Sequence, residues 1–164
     1  MAAGLLFSLL LGLSFGLWDG ADAGCQLKDP TAFDCPAGWS WFDRRCFVVV
    51  TFQKSWAAAE KHCQHLDSHL ASFHNIDEYN FIRQLIFKTT QAHTRTWLGG
   101  YDSPGEGIWF WSDGSRLTFT NWAAGEPNNG GDKEHCMDMN VQGRDFVNDD
   151  VCSKQLPFVC VLQL

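Results

Sequence analysis

The chain has 164 residues, a length typical of a single domain. Apolar residues make up 45% of it and charged residues 19%, which is the composition of a globular protein rather than a disordered one. The formal net charge is −7 and there is no cluster of basic residues, which argues against nucleic acid and anionic membranes as partners. No apolar run reaches the roughly 18 residues of a membrane-spanning helix, so an integral membrane protein is not expected.

The first 23 residues have the pattern of a secretory signal peptide. Residues 5–13 form an apolar stretch, and Ala21 and Ala23 supply small residues at the two positions that a signal peptidase reads. We therefore expect cleavage after Ala23 and a secreted, extracellular protein. In this interpretation residues 24–33 form a short polar N-terminal arm, and residues 34–164 form the domain.

Two segments show the periodicity of amphipathic helices. Residues 55–66 are predicted to form the first helix, with Ser55 as its N-cap. Its apolar stripe consists of Trp56, Ala59, Cys63 and Leu66. The second helix is predicted over residues 76–88, with Asn75 as its N-cap and Glu78 completing a capping box. Its apolar face consists of Phe81, Ile82, Leu85 and Ile86.

Short apolar runs flank these helices and indicate strands. One lies at residues 46–50, before the first helix, and the others follow the second helix among loops rich in Gly, Asn and Asp. These later runs are residues 107–111, 146–147 and 158–161. Strands at both ends with helices between them predict an α+β fold rather than a parallel βαβ series.

The cysteines and several short motifs occur in a characteristic order. Seven cysteines in a secreted chain indicate a disulfide framework, but spacing alone does not select the pairs. The motifs are Cys35-Pro36-x-Gly38-Trp39, Cys46-Phe47, a helix bearing Cys63, Trp97-Leu98-Gly99-Gly100, Glu126-Pro127-Asn128, Cys136, Val147-Asn148-Asp149, Cys152 and Cys160. In this order and spacing, residues 34–164 resemble a C-type lectin-like domain, as in fish serum and venom lectins and type II antifreeze proteins. The resemblance implies two helices, small antiparallel sheets and a long calcium-binding loop region.

The resemblance also implies how the cysteines pair. The implied pairs are Cys35–Cys46, Cys63–Cys160 and Cys136–Cys152. Cys25, on the N-terminal arm, is then left over. It is expected to form an interchain disulfide that makes a covalent homodimer; the alternative is a free or small-thiol-capped cysteine.

Oxygen-bearing side chains are concentrated before Cys136 and before Cys152. Carboxylates and amides without a thiolate or imidazole cluster suit Ca²⁺, although polar loops of this kind also form ordinary turns. The resemblance implies that the Glu126–Pro127 bond is cis. It assigns one set of residues both to the calcium ion and to a carbohydrate ligand: Glu126, Asn128, Glu134, Asn148 and Asp149.

The order Glu-Pro-Asn has a meaning within the family. It goes with mannose, N-acetylglucosamine and fucose, whereas Gln-Pro-Asp goes with galactose. The resemblance therefore implies a calcium-dependent lectin that binds mannose-type glycans on microbial or other cell surfaces, in innate immune recognition.

The chain departs from the family pattern at three places. Val147 stands where many members have Trp, at a position expected to pack in the core. The spacing from Glu134 to Asn148 is slightly longer than usual, which is expected to reshape the rim of the site. A family auxiliary calcium site matches Asp102 and Glu106, but its other two acidic positions are not acidic here. They read Asn129 and His135. A tight auxiliary site is therefore not expected.

Other functions remain as alternatives. One is an ice-binding protein of the type II antifreeze kind, which would use the same region from Glu126 to Asp149. The other is a calcium-independent protein-binding module of the same fold. An enzyme is not expected, because there is no Gly-x-Ser-x-Gly motif and no core cysteine is free once the disulfides form.

Overall fold

The computed structural model describes residues 35–164. The predicted signal peptide, the predicted N-terminal arm and Cys25 lie outside the described residues. Two α-helices and eight strands are present in the described part of the chain. In chain order they are β1 (Ser40–Phe42), β2 (Arg45–Lys54), α1 (Trp56–Gln64), β3 (His69–Leu70), α2 (Ile76–Thr90), β4 (Thr96–Tyr101), β5 (Phe110–Trp111), β6 (Glu134–Met139), β7 (Val147–Val151) and β8 (Leu156–Gln163). The α+β class that the sequence predicts is confirmed.

The strands form one connected sheet rather than separate small ones. The order is β1-β2-β8-β4-β6-β7, with β3 added to β8 and β5 added to β4. All pairs are antiparallel except β4 and β8, which meet in parallel at Trp97 and Phe158. The sheet is continuous because β8 pairs with β2, β3 and β4, and so joins the two ends of the domain to its middle.

Both predicted helices are present, with ends displaced by one or two residues. Asn75 caps α2, since its side-chain oxygen accepts a hydrogen bond from the Glu78 backbone N–H at 2.9 Å. Glu78 does not complete the capping box: its carboxylate accepts from the backbone N–H of His74 and pairs with Arg45 at 2.7 Å. In α1, Ser55 occupies the N-cap position without a side-chain capping bond. Leu66 lies beyond the end of α1 and is exposed.

Three disulfides stabilise the domain, and they are the pairs that the resemblance implies: Cys35–Cys46, Cys63–Cys160 and Cys136–Cys152. The bond between Cys63 and Cys160 joins α1 to β8 across 97 residues. In the chain-entropy model, closing a loop of this size stabilises the fold by about 5 kcal/mol. The bond between Cys136 and Cys152 joins β6 to the residue that follows β7.

The Trp97-Leu98-Gly99-Gly100 motif packs β4 against its neighbours. Trp97 and Leu98 are fully buried. A Cβ atom on Gly99 would lie 2.6 Å from the carbonyl oxygen of Leu70, and one on Gly100 would lie 2.6 Å from Cε of Met137. Because real Cβ atoms do not approach that closely, Gly99 lets Leu70 of β3 lie close to β4, and Gly100 lets Met137 of β6 do so. β6 in turn positions β7. Within residues 35–164, no helix combines the length and the hydropathy that crossing a membrane requires.

Candidate functional site

The hairpin of β6 and β7 supplies three of the five residues assigned to the site. Glu134 begins β6, and Asn148 and Asp149 lie in β7. The register places Asp149 opposite Met137, and the Cys136–Cys152 disulfide joins β6 to the residue that follows β7. Strand pairing and a covalent bond therefore fix where these side chains emerge.

The adjacent acids of β7 serve opposite faces, because successive side chains of a strand alternate. Asp150 is neutralised: it pairs with Arg95 and, at 2.5 Å, with Lys154. Arg95 also bonds the buried carboxylate of Asp138, at 2.7 Å. Asp149 points the other way, towards the loop that precedes β6. Asp150 thus anchors β7 to the rest of the domain, and Asp149 is free to accept hydrogen bonds from the loop.

Asp149 holds that loop through its two carboxylate oxygens. Its Oδ1 accepts a hydrogen bond from the backbone N–H of Asn128 at 3.1 Å, and its Oδ2 accepts one from Asn129 at 2.7 Å. Only 1% of Asp149 is exposed, so the accepting carboxylate is buried beneath the loop. The loop backbone is therefore fixed directly over β7.

Glu134 holds the next turn of the same loop. Its Oε2 accepts from the backbone N–H of Gly130 at 2.8 Å, and its own N–H donates to Oδ1 of Asn129 at 3.1 Å. A Cβ atom on Gly130 would lie 2.6 Å from Glu134 Oε2 and 3.2 Å from Asn128 Oδ1. A side chain at this position would therefore displace the carboxylate of Glu134.

Glu126 completes the cluster. The bond between Glu126 and Pro127 is cis. Burial raises the pKa of the Glu126 carboxyl above its ordinary value of 4.5, and the neighbouring Asp149 and Glu134 raise it further, while Asn128 opposes the change. One carboxylate oxygen, Oε2, is buried without a hydrogen-bond partner.

Asn148 lies beside Glu126, and both line one small pocket. The side-chain nitrogen of Asn148 donates to the backbone carbonyl of Asp149. All five side chains assigned to the site thus lie in a single cluster. Their role as ligands of a cation or a sugar stays a prediction.

The charge of this cluster is unbalanced within the described residues. None of Glu126, Glu134 and Asp149 forms an ion pair with a residue in that part of the chain. Burial is the main cause of the raised pKa of Glu126 and the neighbouring carboxylates add to it, while its Oε2 has no hydrogen-bond partner. Because all the donors are hard oxygens, the residues fit Ca²⁺ rather than Zn²⁺.

A second cluster lies next to this one. It consists of Asp102, Glu106 and His135, whose ligand atoms all lie within 4.8 Å of one another. Within residues 35–164 no other three acidic, His or Cys side chains are that close together, so the carboxylates of the first cluster are spaced more widely. His135 Nδ1 lies 3.0 Å from Asp102 Oδ1 and 3.5 Å from Glu106 Oε2, and Asn129 donates to Glu106 at 2.5 Å. The imidazole and the amide thus face the acids as hydrogen-bond partners. The absence of a tight auxiliary calcium site stays a prediction.

Sequence reasoning missed the residues that support the site. Asn129 was assigned only to the auxiliary cluster, yet it bonds both Asp149 and Glu134. Arg95 received no role, although it neutralises the acids on the far face of β7. The one sequence feature that points to this role is its position immediately before the buried strand β4. A charged side chain next to a buried strand needs a partner of opposite charge.

Comparison with known proteins identifies the fold. Residues 52–162 match the family model described as the Lectin C-type domain. The chain belongs to the C-type lectin domain family. Ladderlectin of Oncorhynchus mykiss is 41% identical to it over 123 residues, which is 75% of this chain and 65% of that protein. The galactose-specific lectin nattectin of Thalassophryne nattereri is 37% identical over 158 residues, which is 96% of each chain.

A solved structure extends the comparison. Herring type II antifreeze protein matches this C-type lectin domain with a TM-score of 0.74 and 32% identity, over 79% of this chain and 99% of the other. The family and these relatives are lectins and antifreeze proteins, which are binding proteins rather than enzymes.

The raised pKa of Glu126 predicts a pH-dependent stability. The folded chain holds this proton more tightly than the unfolded chain, so ionised Glu126 destabilises the fold. That penalty is absent below 4.5 and grows as pH rises through the folded pKa. In a chelator, Glu126→Gln should therefore unfold at higher urea concentration than the wild type at about pH 7, and at a similar concentration at about pH 4.

Asp132→Asn is the matched control, because it removes the charge of an exposed acid in the same loop. At about pH 7 it should raise the urea concentration of unfolding less than Glu126→Gln does. An equal effect of Glu126→Gln at both pH values would contradict the assignment.

Proposed function

We propose that this protein is a secreted, calcium-dependent lectin that binds mannose-type glycans, with a role in innate recognition of microbial surfaces. The residues that would hold the ion and the sugar are Glu126, Asn128, Glu134, Asn148 and Asp149. One observation carries the proposal: the buried, unpartnered Oε2 of Glu126 stands among carboxylates that no described cation neutralises. Membership of the C-type lectin family and the likeness to ladderlectin and nattectin support it.

The side chains have complementary roles towards a sugar. A bound Ca²⁺ would supply coordination to two neighbouring hydroxyl oxygens, since the ion accepts 6–8 oxygen ligands. The carboxylates of Glu126 and Glu134 accept hydrogen bonds from hydroxyl protons. The amides of Asn128 and Asn148 donate hydrogen bonds to hydroxyl oxygens. The hydrogen bonds that Asp149 and Gly130 make within the loop keep these groups in place before a ligand arrives.

The arguments about the preferred sugar point to two different sugars. The order Glu126-Pro127-Asn128 favours mannose, N-acetylglucosamine and fucose by resemblance. Nattectin, which is similar over 96% of this chain, is named as galactose-specific. We infer mannose-type preference from the chain's own residues, and galactose is the comparison sugar in the sugar titrations.

Secretion is supported by the disulfides. Three disulfides in 130 described residues are typical of proteins that fold in an oxidising compartment. This agrees with the signal peptide predicted over residues 1–23.

Ice binding is the second candidate, favoured by the likeness to herring type II antifreeze protein. A calcium-independent protein-binding module is the third. Elution from mannose resin by a chelator supports the lectin. Failure to bind the resin, together with a lowered freezing point at an unchanged melting point, would instead favour ice binding.

Exchanging the two key side-chain types should reverse the sugar preference. Glu126→Gln with Asn128→Asp interchanges acceptor and donor positions towards the sugar hydroxyls. Since each hydrogen bond contributes about 1 kcal/mol, the mannose-to-galactose affinity ratio should fall about tenfold or more by calorimetric titration.

The matched control is Glu106→Gln in the neighbouring cluster, which removes one acidic charge and keeps a side-chain oxygen for the contact with Asn129. It should keep the wild-type ratio. Unchanged mannose binding by the Glu126 and Asn128 double variant would refute the roles given to those side chains.

Adding a methyl group at Gly130 should weaken calcium binding. Gly130→Ala places Cβ where Glu134 Oε2 lies, so the carboxylate must move. Disturbing a group that orients a metal ligand costs about 10–100-fold in metal affinity. Gly105→Ala is the control, because its Cβ would meet only Ile108 at ordinary contact distance, 3.5 Å. Equal calcium affinities of the two variants would contradict the place of Glu134 in the site.

We also propose that Cys25 links two chains. Non-reducing electrophoresis of the secreted protein should show a dimer that reducing agent or Cys25→Ser converts to a monomer. Two linked weak sites would raise avidity for a multivalent surface. A wild-type monomer would contradict the dimer.

A further inference from the structure

A pocket of about 260 Å³ opens directly beside the proposed sugar site. One wall consists of Glu126 and Asn148, which belong to that site. Another part of the lining, the outer wall, comes from residues 141–146 and includes Gln142, Arg144 and Phe146. A glycan held at Glu126 and Asn148 therefore has a second surface beside it.

The outer wall is held in place from α2. The Arg83 guanidinium donates to Oδ1 of Asn140 at 3.1 Å and to the carbonyl of Gly143 at 3.3 Å, and it pairs with Asp145 at 3.2 Å. Asn140 is fully buried and also donates to the carbonyl of Thr94. Contacts on both sides of Arg144 thus fix the backbone that presents it, so the wall is in place before a ligand binds.

Arg144 differs from the arginines that hold the fold together. Arg45, Arg83 and Arg95 each pair with an acid. Arg144 is exposed at the pocket and forms no ion pair with any residue of the described part of the chain. A guanidinium group matches carboxylate, sulfate and phosphate through paired hydrogen bonds.

The other lining residues suit a sugar as well. Gln142 lies beside Arg144 in the wall and brings a side-chain amide that donates hydrogen bonds. Phe146 is half-buried and offers an apolar surface to the C–H face of a pyranose ring. Binding sites for small molecules usually combine a few polar groups with a partly apolar lining.

We propose that this pocket is a subsite for an anionic substituent of the bound glycan, a carboxylate, sulfate or phosphate group that contacts Arg144 and Gln142. The inference rests on the proposed function, because the neutral part of the glycan must be held at Glu126 and Asn148. The chain carries a formal charge of −7, which repels acidic glycans in general. Arg144 allows an acidic glycan of the right geometry to bind in spite of that charge. It therefore determines the preference of the site for anionic over neutral glycans.

The test compares sugars that share one ring. Methyl α-mannoside, its 6-sulfate, its 6-phosphate and the corresponding mannuronic acid glycoside are titrated calorimetrically in saturating calcium, and the galactose series is titrated in parallel. Within the series that binds, an anionic member should bind about tenfold tighter than the neutral sugar, because a hydrogen bond to a charged group contributes about 1.5–3 kcal/mol. The anion that gains most identifies the chemistry, and the gain should shrink as salt is raised.

Arg144→Gln should abolish the gain while the neutral sugar keeps its affinity. Arg44→Gln is the matched control, an exposed arginine in the turn between β1 and β2, and it should keep the gain. A neutral sugar that binds as tightly as all its anionic forms would overturn the subsite alone. Persistence of the gain in Arg144→Gln would overturn the role of Arg144. Absence of binding by every sugar, with and without calcium, would reject the proposed function and the subsite together.

Discussion

The site depends on the carboxylate of Asp149, which ties a long loop to the sheet. Both of its oxygens accept backbone N–H groups of the loop, at Asn128 and Asn129, and it is almost fully buried. Its direction is set by the alternation of β7, since Asp150 is held on the other face by Arg95. This arrangement has a cost: burial is the main cause of the raised pKa of Glu126, and the anchoring charge beside it raises that pKa further. A bound cation would offset that cost. The carboxylate of Asp149 therefore both anchors the loop and contributes to the negative charge that favours binding of a cation.

Much of the fold could be predicted from the sequence, because local patterns determine it. The periodicity around Ala59 and Ile82 predicts both helices, and Asn75 marks the start of the second one. The joining of all the strands into one sheet was not predictable, since it depends on β8 meeting strands from distant parts of the chain. The bond from Glu78 to His74 was missed for a similar reason: Arg45, 33 positions earlier in the chain, also holds that carboxylate.

The sequence predicts which residues belong to the candidate site, but not which residues hold them in place. Resemblance selects Glu126 and Asn148, and the structure brings them to one pocket. Their supporting contacts come from residues with no motif of their own, such as Asn129 and Arg83. The family's fold carries both lectins and antifreeze proteins, so the fold alone does not select the ligand. Selection of the ligand must therefore lie in side chains around the site rather than in the fold.

The central claim is that Glu126, Glu134 and Asp149 form a cation site rather than a set of loop-holding acids. Titration of the chelator-treated protein with Ca²⁺ alone, followed by calorimetry near neutral pH, tests it most directly. The account predicts saturable binding of one tight equivalent per chain and a higher thermal unfolding temperature with calcium than without it, because an ion that binds only the folded state stabilises it. Absence of binding heat together with an unchanged unfolding temperature would contradict the account and leave these acids as a scaffold of the loop.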